Sequence, residues 1–212
     1  MIQKEELEQQ LIEQMSQQHE YDLLEPTDPN FLLYSPKPIG YNTYGEQRFL
    51  FNNLIAGFPG TSITDVGCGR GDLWDQLMAL NGVLTYNGID HNPAMINLAK
   101  QRYGLDCIEG AYETTPIPQA DWVVACSVFT QRKCKTEDED LIKLLNDIDL
   151  LYQSANQVVA FNLLSPIGND IIDGFFYVHP GLIMDMLIEK YRNVSVSHNY
   201  SEFLYTVTIY KF

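Results

Sequence analysis

Residues 63–77, ITDVGCGRGDLWDQL, set an acid, Asp65, ahead of three glycines at alternate positions, Gly67, Gly69 and Gly71, and an apolar helix behind them. Glycines let the backbone turn sharply and let a ligand come close to the main chain, so the run describes a nucleotide-type cofactor site. The dinucleotide fingerprint needs its third glycine three residues after the second. Here Gly71 comes two residues after Gly69, and Asp72 occupies the dinucleotide position. An acid at a helix N-terminus opposes the anion that the amide groups there would otherwise receive, so a pyrophosphate is disfavoured.

The elements that must carry this loop are legible on both sides of it. Tyr86–Asp90, YNGID, reads as a short strand ending in an acid placed to accept both hydroxyls of a ribose. His91-Asn-Pro93 then begins a helix, with Met95, Ile96, Leu98 and Ala99 as its buried face. The apolar run Ala120–Phe129 reads as a buried parallel strand, and Gln157–Ser165 as another. Between them, Glu137–Asp140 caps and solvates a helix whose stripe is Leu141, Leu144, Leu145, Ile148 and Leu151. Gly181–Lys190 reads as a helix preceded by Pro180, with His179 at its start. Val194–His198 and Phe203–Tyr210 alternate with period two, the pattern of antiparallel strands.

Asp65-Val-Gly-Cys-Gly-Arg-Gly71 resembles motif I of the class I S-adenosylmethionine-dependent methyltransferases, and Ala120–Phe129 resembles their motif IV. Gly40–Phe49, FNLLS at Phe161–Ser165, FFYVHP at Phe175–Pro180 and His198–Lys211 look like a set of small stand-alone members, so the resemblance covers residues 36–212. It implies a Rossmann-like α/β fold: a doubly wound, seven-stranded, mostly parallel sheet ending in an antiparallel strand pair. It also implies S-adenosyl-L-methionine as cofactor and S-adenosyl-L-homocysteine as product. That cofactor carries an amino acid tail instead of phosphates, so a neighbouring carboxylate can serve its ammonium group.

Carried over position by position, the resemblance gives Asp65, Gly67, Cys68, Gly69, Gly71, Asp90, His91, Tyr112, Cys126, Ser127 and Arg48 as cofactor contacts. The acid often found near the adenine is Ala111 here, leaving Tyr112 or a backbone carbonyl to substitute. Methyl transfer is an in-line displacement, in which orientation can supply roughly 7–11 kcal/mol, and the family has no universal catalytic motif. The candidates are His198, the most base-like group, Asn162 and Ser165, which could orient an acceptor, and Ser127, at the strand end lining the cofactor and the substrate entry; Tyr41, Tyr44 and Gln47 could close the pocket.

Composition bounds the acceptor. The net charge is −15, and the basic cluster Arg132-Lys133-Lys135 runs straight into Glu137–Asp140, which argues against a nucleic acid. A small molecule or a peptide side chain is the expected acceptor. Cys68, Cys107, Cys126 and Cys134 form no CxxC pair and no metal spacing with histidine, so no metal is expected. No apolar stretch reaches a membrane span and MIQKEELEQQ is not a secretory segment, which predicts a cytoplasmic protein. Residues 1–35 read as an amphipathic helix, with Leu7, Leu11 and Met15, followed by an extended linker over Tyr21–Pro38. That helix suits packing on its own domain, a partner protein or a homodimer. The rival to an enzyme is an assembly module that keeps the fold and docks through it.

Overall fold

The computed structural model describes residues 19–80, 85–168 and 170–211. The chain divides into two compact units, Met1–Asn52 and Asn53–Phe212.

In the first unit, the expected helix through Leu7, Leu11 and Met15 lies outside the described residues. The stretch expected to be extended instead carries a helical turn at Phe31–Tyr34 and a 3₁₀ turn at Lys37–Ile39. Proline accounts for the second: Pro36 sits at φ −72° and ψ −20°, and its fixed φ suits a helical start. Tyr21 stacks on Tyr34 at 5.0 Å, and the Tyr44 amide donates to Asp22 at 2.7 Å, which ties this segment to helix α1, Tyr44–Leu54.

The second unit is a seven-stranded sheet in the order β3-β2-β1-β4-β5-β7-β6. Its strands are β1 Ser62–Val66, β2 Thr85–Asp90, β3 Ile108–Glu109, β4 Ala120–Ala125, β5 Ala155–Leu164, β6 Val194–Ser197 and β7 Leu204–Tyr210. Strands β1 to β5 are parallel, while β7 runs antiparallel to both β5 and β6, as expected from the sequence. The helices are α2 Asp72–Leu80, α3 Pro93–Tyr103, α4 Glu137–Ser154 and α5 Pro180–Tyr191.

Burial explains why these residues take these elements. Ile63, Val66, Val123, Val124, Val159 and Phe161 are fully buried, as covered strands of a parallel sheet require. Helix α4 starts at a capping box in which Thr136 and Glu139 satisfy each other's amides, and it buries Leu144, Ile148 and Leu151. His179 caps α5, its Nδ1 accepting the Gly181 amide at 3.1 Å. Helix α3 is the exception to the expected pattern: Ala99 is fully buried, but Met95, Ile96 and Leu98 are only half-covered, because α3 packs on β2 and the two-residue edge strand β3.

The strand order reverses between β1 and β4, and in such sheets ligands bind beyond the carboxyl ends of the strands at that switch. Because β7 is antiparallel and Leu204 pairs with Leu164, the turn between β6 and β7 reaches the same rim. Tyr205 fastens it: fully buried, it donates its hydroxyl to the Val178 carbonyl at 2.8 Å and so ties β7 to the segment entering α5. Tyr205→Phe leaves that carbonyl without this donor and should cost about 1–3 kcal/mol. Urea unfolding measures it as a lower midpoint at unchanged slope; an unchanged midpoint would show the bond to be immaterial.

Candidate functional site

The loop after β1 is shaped by three left-handed glycines, Gly67 at φ 72°, Gly69 at φ 54° and Gly71 at φ 80°. They differ in what surrounds them. A Cβ on Gly67 would lie 2.6 Å from Val128 Cγ2, and one on Gly71 would lie 2.7 Å from Leu105 Cδ1, so these two make room for the protein. A Cβ on Gly69 would meet nothing within 4 Å, so the middle glycine presents bare backbone to open space. The Gly67 and Cys68 amides both donate to the Ile89 carbonyl, at 2.8 and 3.1 Å, which pins the loop to the end of β2.

Asp90 completes that pinning. Its Oδ2 accepts the Gly69 amide and its Oδ1 the Asn92 amide, each at 2.8 Å, so one carboxylate fixes both the loop and the entry to α3. His91 points to solvent, with Nδ1 3.7 Å from Asp90 Oδ1.

Asp65 ends β1 in the interior and is 3% exposed. Its Oδ2 accepts the Tyr86 hydroxyl at 2.8 Å. Burial pushes its carboxyl up to about 7; the Tyr86 bond opposes this, and the Asp90 and Asp72 charges add to it. Asp72 is compensated instead: Arg70 donates to it at 2.9 Å and Arg102 bonds its other oxygen. The acid that discourages a phosphate by sequence is therefore spent on two buried arginines.

Beyond β4 the apolar run continues to Phe129, but the strand stops at Ala125 because Ser127 turns to φ 58°. Asn162 holds that strained residue. Its Oδ1 accepts the Ser127 amide at 2.6 Å and its Nδ2 donates to the Cys126 sulfur at 3.5 Å, so Asn162, Ser127 and Cys126 form one buried-edge cluster at the ends of β4 and β5. Tyr112, after β3, gives its hydroxyl to Asp147 at 2.9 Å and sets its ring edge-on to Phe129. Tyr112, Val128, Phe129, Lys143 and Phe176 line a small cleft beside these strand ends.

His198 lies in the turn between β6 and β7, its ring 5.7 Å from Tyr205, and its Nε2 is buried with no hydrogen-bond partner among the described residues. Arg48 lies on α1 in the other unit, with its guanidinium 5.2 Å over the Tyr44 ring. Two groups, Tyr86 and Tyr200, escaped sequence reasoning. Tyr86 alternates into contact with Asp65 along β2, which the pairing of Ile63 with Tyr86 makes possible. Val128 packs on Gly67, and Tyr200 shares a 2.8 Å hydrogen bond with Thr206, the partner of Asn162 across β5 and β7.

Comparison with known proteins agrees with this geometry. Residues 63–151, from β1 into α4, match the family model described as a methyltransferase domain. The chain is also 28% identical over 159 residues to protein Rv1506c of Mycobacterium tuberculosis strain H37Rv, which is named as a methyltransferase; the match spans 71% of this chain and 93% of that one. Over residues 63–151 the chain is thus similar to methyltransferases. The fold of a methyltransferase from Archaeoglobus fulgidus superposes with a TM-score of 0.58 at 16% identity, over 87% of this chain and all of that one. Magnesium protoporphyrin IX methyltransferase from Synechocystis PCC 6803, solved with bound S-adenosylmethionine, gives 0.55 at 16% identity, over 78% and 80% of the two chains.

Two outcomes follow for this loop. Gly71→Ala should lose about 1–3 kcal/mol more stability than Gly69→Ala, because only the former adds a clash to the backbone strain; equal losses in paired denaturant titrations would contradict the packing described. Asp65 binds its proton more tightly folded than unfolded, so its charge destabilises the fold as pH rises from about 4 to about 7. Over that window the wild-type protein should lose up to about 4 kcal/mol relative to Asp65→Asn. A difference that stays flat with pH would show the carboxyl titrating normally.

Proposed function

We propose that this methyltransferase holds S-adenosylmethionine on the Asp65–Gly71 loop and methylates a small-molecule or peptide side-chain acceptor by in-line displacement. One observation carries the reading: among the described residues, Asp65 and Asp90 are buried carboxylates with no lysine or arginine partner, flanking an open glycine. A cationic, hydroxyl-bearing ligand supplies what they lack.

In this reading Asp65 faces the ammonium end, and Gly67, Cys68, Gly69 and Gly71 let the main chain approach the ligand. Asp90 keeps lone pairs for the ribose hydroxyls after accepting its two amides, and His91 stands beside it at the solvent edge. Tyr112, Val128 and Phe129 offer the adenine an apolar cleft. Cys126 and Ser127 border the sulfur. When bound, the cofactor supplies a methyl group already activated by its sulfonium.

The chain's own residues then position the nucleophile. Asn162 holds Ser127 and the end of β4 in place, which makes it a positioning residue, while Ser127 contacts the acceptor. His198 removes the acceptor proton, an assignment supported by its unpartnered buried Nε2, since buried polar atoms ordinarily find a partner. The low-charge acceptor fits the chain's net charge of −15.

S-adenosylhomocysteine at about a hundred times its Kd should stabilise the protein by about 2.7 kcal/mol and raise Tm by roughly 5–10 °C. Asp90→Asn, which leaves one acceptor for the loop, should remove most of that shift; no shift for the wild-type protein at millimolar ligand would end the proposal. With the acceptor identified by profiling metabolites against an isotopically labelled methyl donor, His198→Gln should reduce turnover roughly 10²–10⁴-fold without altering cofactor affinity. A loss of only a few-fold would leave His198 a structural residue. Tight cofactor binding with no methyl consumed by any acceptor would favour the assembly module.

A further inference from the structure

Cys68 stands inside the glycine loop and Cys107 just before β3, with β2 between their strands in the sheet. Strand separation alone would keep them apart, since neighbouring strands lie about 4.8 Å from each other. Gly88 of β2 removes the obstacle. A Cβ at Gly88 would lie 2.5 Å from Cys107 Sγ and 2.8 Å from Cys68 Sγ, so both sulfurs occupy the space that a side chain on the middle strand would take. Both cysteines are reduced thiols in this structure.

We infer that Cys68 and Cys107 are an oxidation site, in which a hydroperoxide forms a disulfide between them that takes the loop out of its cofactor-binding shape. The inference rests on the reading of this loop as the cofactor site. Cys107 is half-exposed whereas Cys68 is buried, so Cys107 is the sulfur a peroxide reaches first. The neighbouring Cys68 thiol holds Cys107 below the ordinary thiol range against burial and the nearby carboxylates Asp65, Asp90 and Asp106.

The step balances in two displacements. The Cys107 thiolate attacks one peroxide oxygen, the O–O bond breaks, and the sulfenic acid forms as hydroxide leaves and takes a proton. The Cys68 sulfur then attacks the sulfenic sulfur; the S–S bond forms, the S–O bond breaks, and the second oxygen leaves as water with the Cys68 proton. Two thiols are oxidised by two electrons and one peroxide is reduced to two waters. An exchange with a reduced dithiol reverses the bond.

Geometry gives the disulfide its consequence. An S–S bond is about 2.05 Å long and usually needs Cα atoms 4.4–6.8 Å apart, so closing it draws Cys68 toward β3 across β2. The loop can yield, because left-handed glycines flank Cys68 on both sides. What yields with it is the Cys68 amide bond to Ile89 and the Gly69 amide bond to Asp90. Those are the contacts that hold bare backbone open at Gly69.

The test uses the full chain, reduced or treated with hydrogen peroxide, followed by peptide mapping and by titration with S-adenosylhomocysteine. A Cys68–Cys107 cross-link with at least a tenfold loss of affinity, both reversed by dithiothreitol, is the expected result. In Cys107→Ser, peroxide should yield no cross-link at Cys68 and leave affinity unchanged. Oxidation confined to Cys126 or Cys134, or a cross-link that leaves affinity intact, would overturn the inference. Failure of the reduced wild-type protein to bind at all would instead refute the proposed cofactor, while the mapping would still decide whether the cross-link forms.

Discussion

Two carboxylates at the ends of adjacent parallel strands, kept in the interior without a lysine or arginine partner among the described residues, are the constraint on which the site depends. Burying a charge costs several kcal/mol unless it is paired, and elsewhere this chain pairs its buried acids. Asp72 has Arg70 and Arg102, Asp140 has Arg132, and Asp147 has Lys143. Asp65 instead has a phenol, and Asp90 has two backbone amides. Both are neutral donors, which orient a carboxylate without cancelling its charge. A site so arranged favours a cation, and burial raises the Asp65 carboxyl to about 7.

The opposite wall has a different source of order. Ser127 at φ 58° is a non-glycine residue in the left-handed region, a conformation costing of order 1–3 kcal/mol. Asn162 stabilises it through a bond that crosses from β5 to β4, and Thr206 and Tyr200 continue the polar cluster onto β7. The antiparallel strand thereby brings the turn bearing His198 to the rim where the parallel strands end. Without that reversal in direction, His198 would lie at the far end of the sheet from the glycine loop.

What the sequence revealed and what it hid divide by range of interaction. Glycine spacing, the acids near the ends of β1 and β2, the acidic start of α4 and the period-two C-terminal strands are local, and each stands where its residues suggest. Partners chosen across the fold left no such trace. Asp72 meets Arg102 thirty residues away, Asn162 reaches back to Ser127, and Tyr86 covers Asp65. The apolar run through Phe129 reads as one strand because hydropathy does not register the turn at Ser127. The partial exposure of Met95, Ile96 and Leu98 has the same origin: an amphipathic pattern gives the inward face of α3 but not the brevity of β3 beside it.

The distribution of charge connects the fold to its ligand. Of the basic side chains, Arg70, Arg102, Arg132, Lys100, Lys143 and Lys190 are each committed to an acid, so the chain spends its few cations internally. The remaining field is strongly negative, which draws in a cation and repels a polyanion. Methyl transfer then changes the balance at one point, because the sulfonium becomes a neutral thioether. In the proposed binding mode, the attraction to Asp65 and Asp90 would be weaker for the product than for the cofactor, and screening over about 10 Å would confine that difference to charges as near as these. In that binding mode, two carboxylates without a lysine or arginine partner would serve both ends of the cycle, favouring capture of the charged form and release of the neutral one.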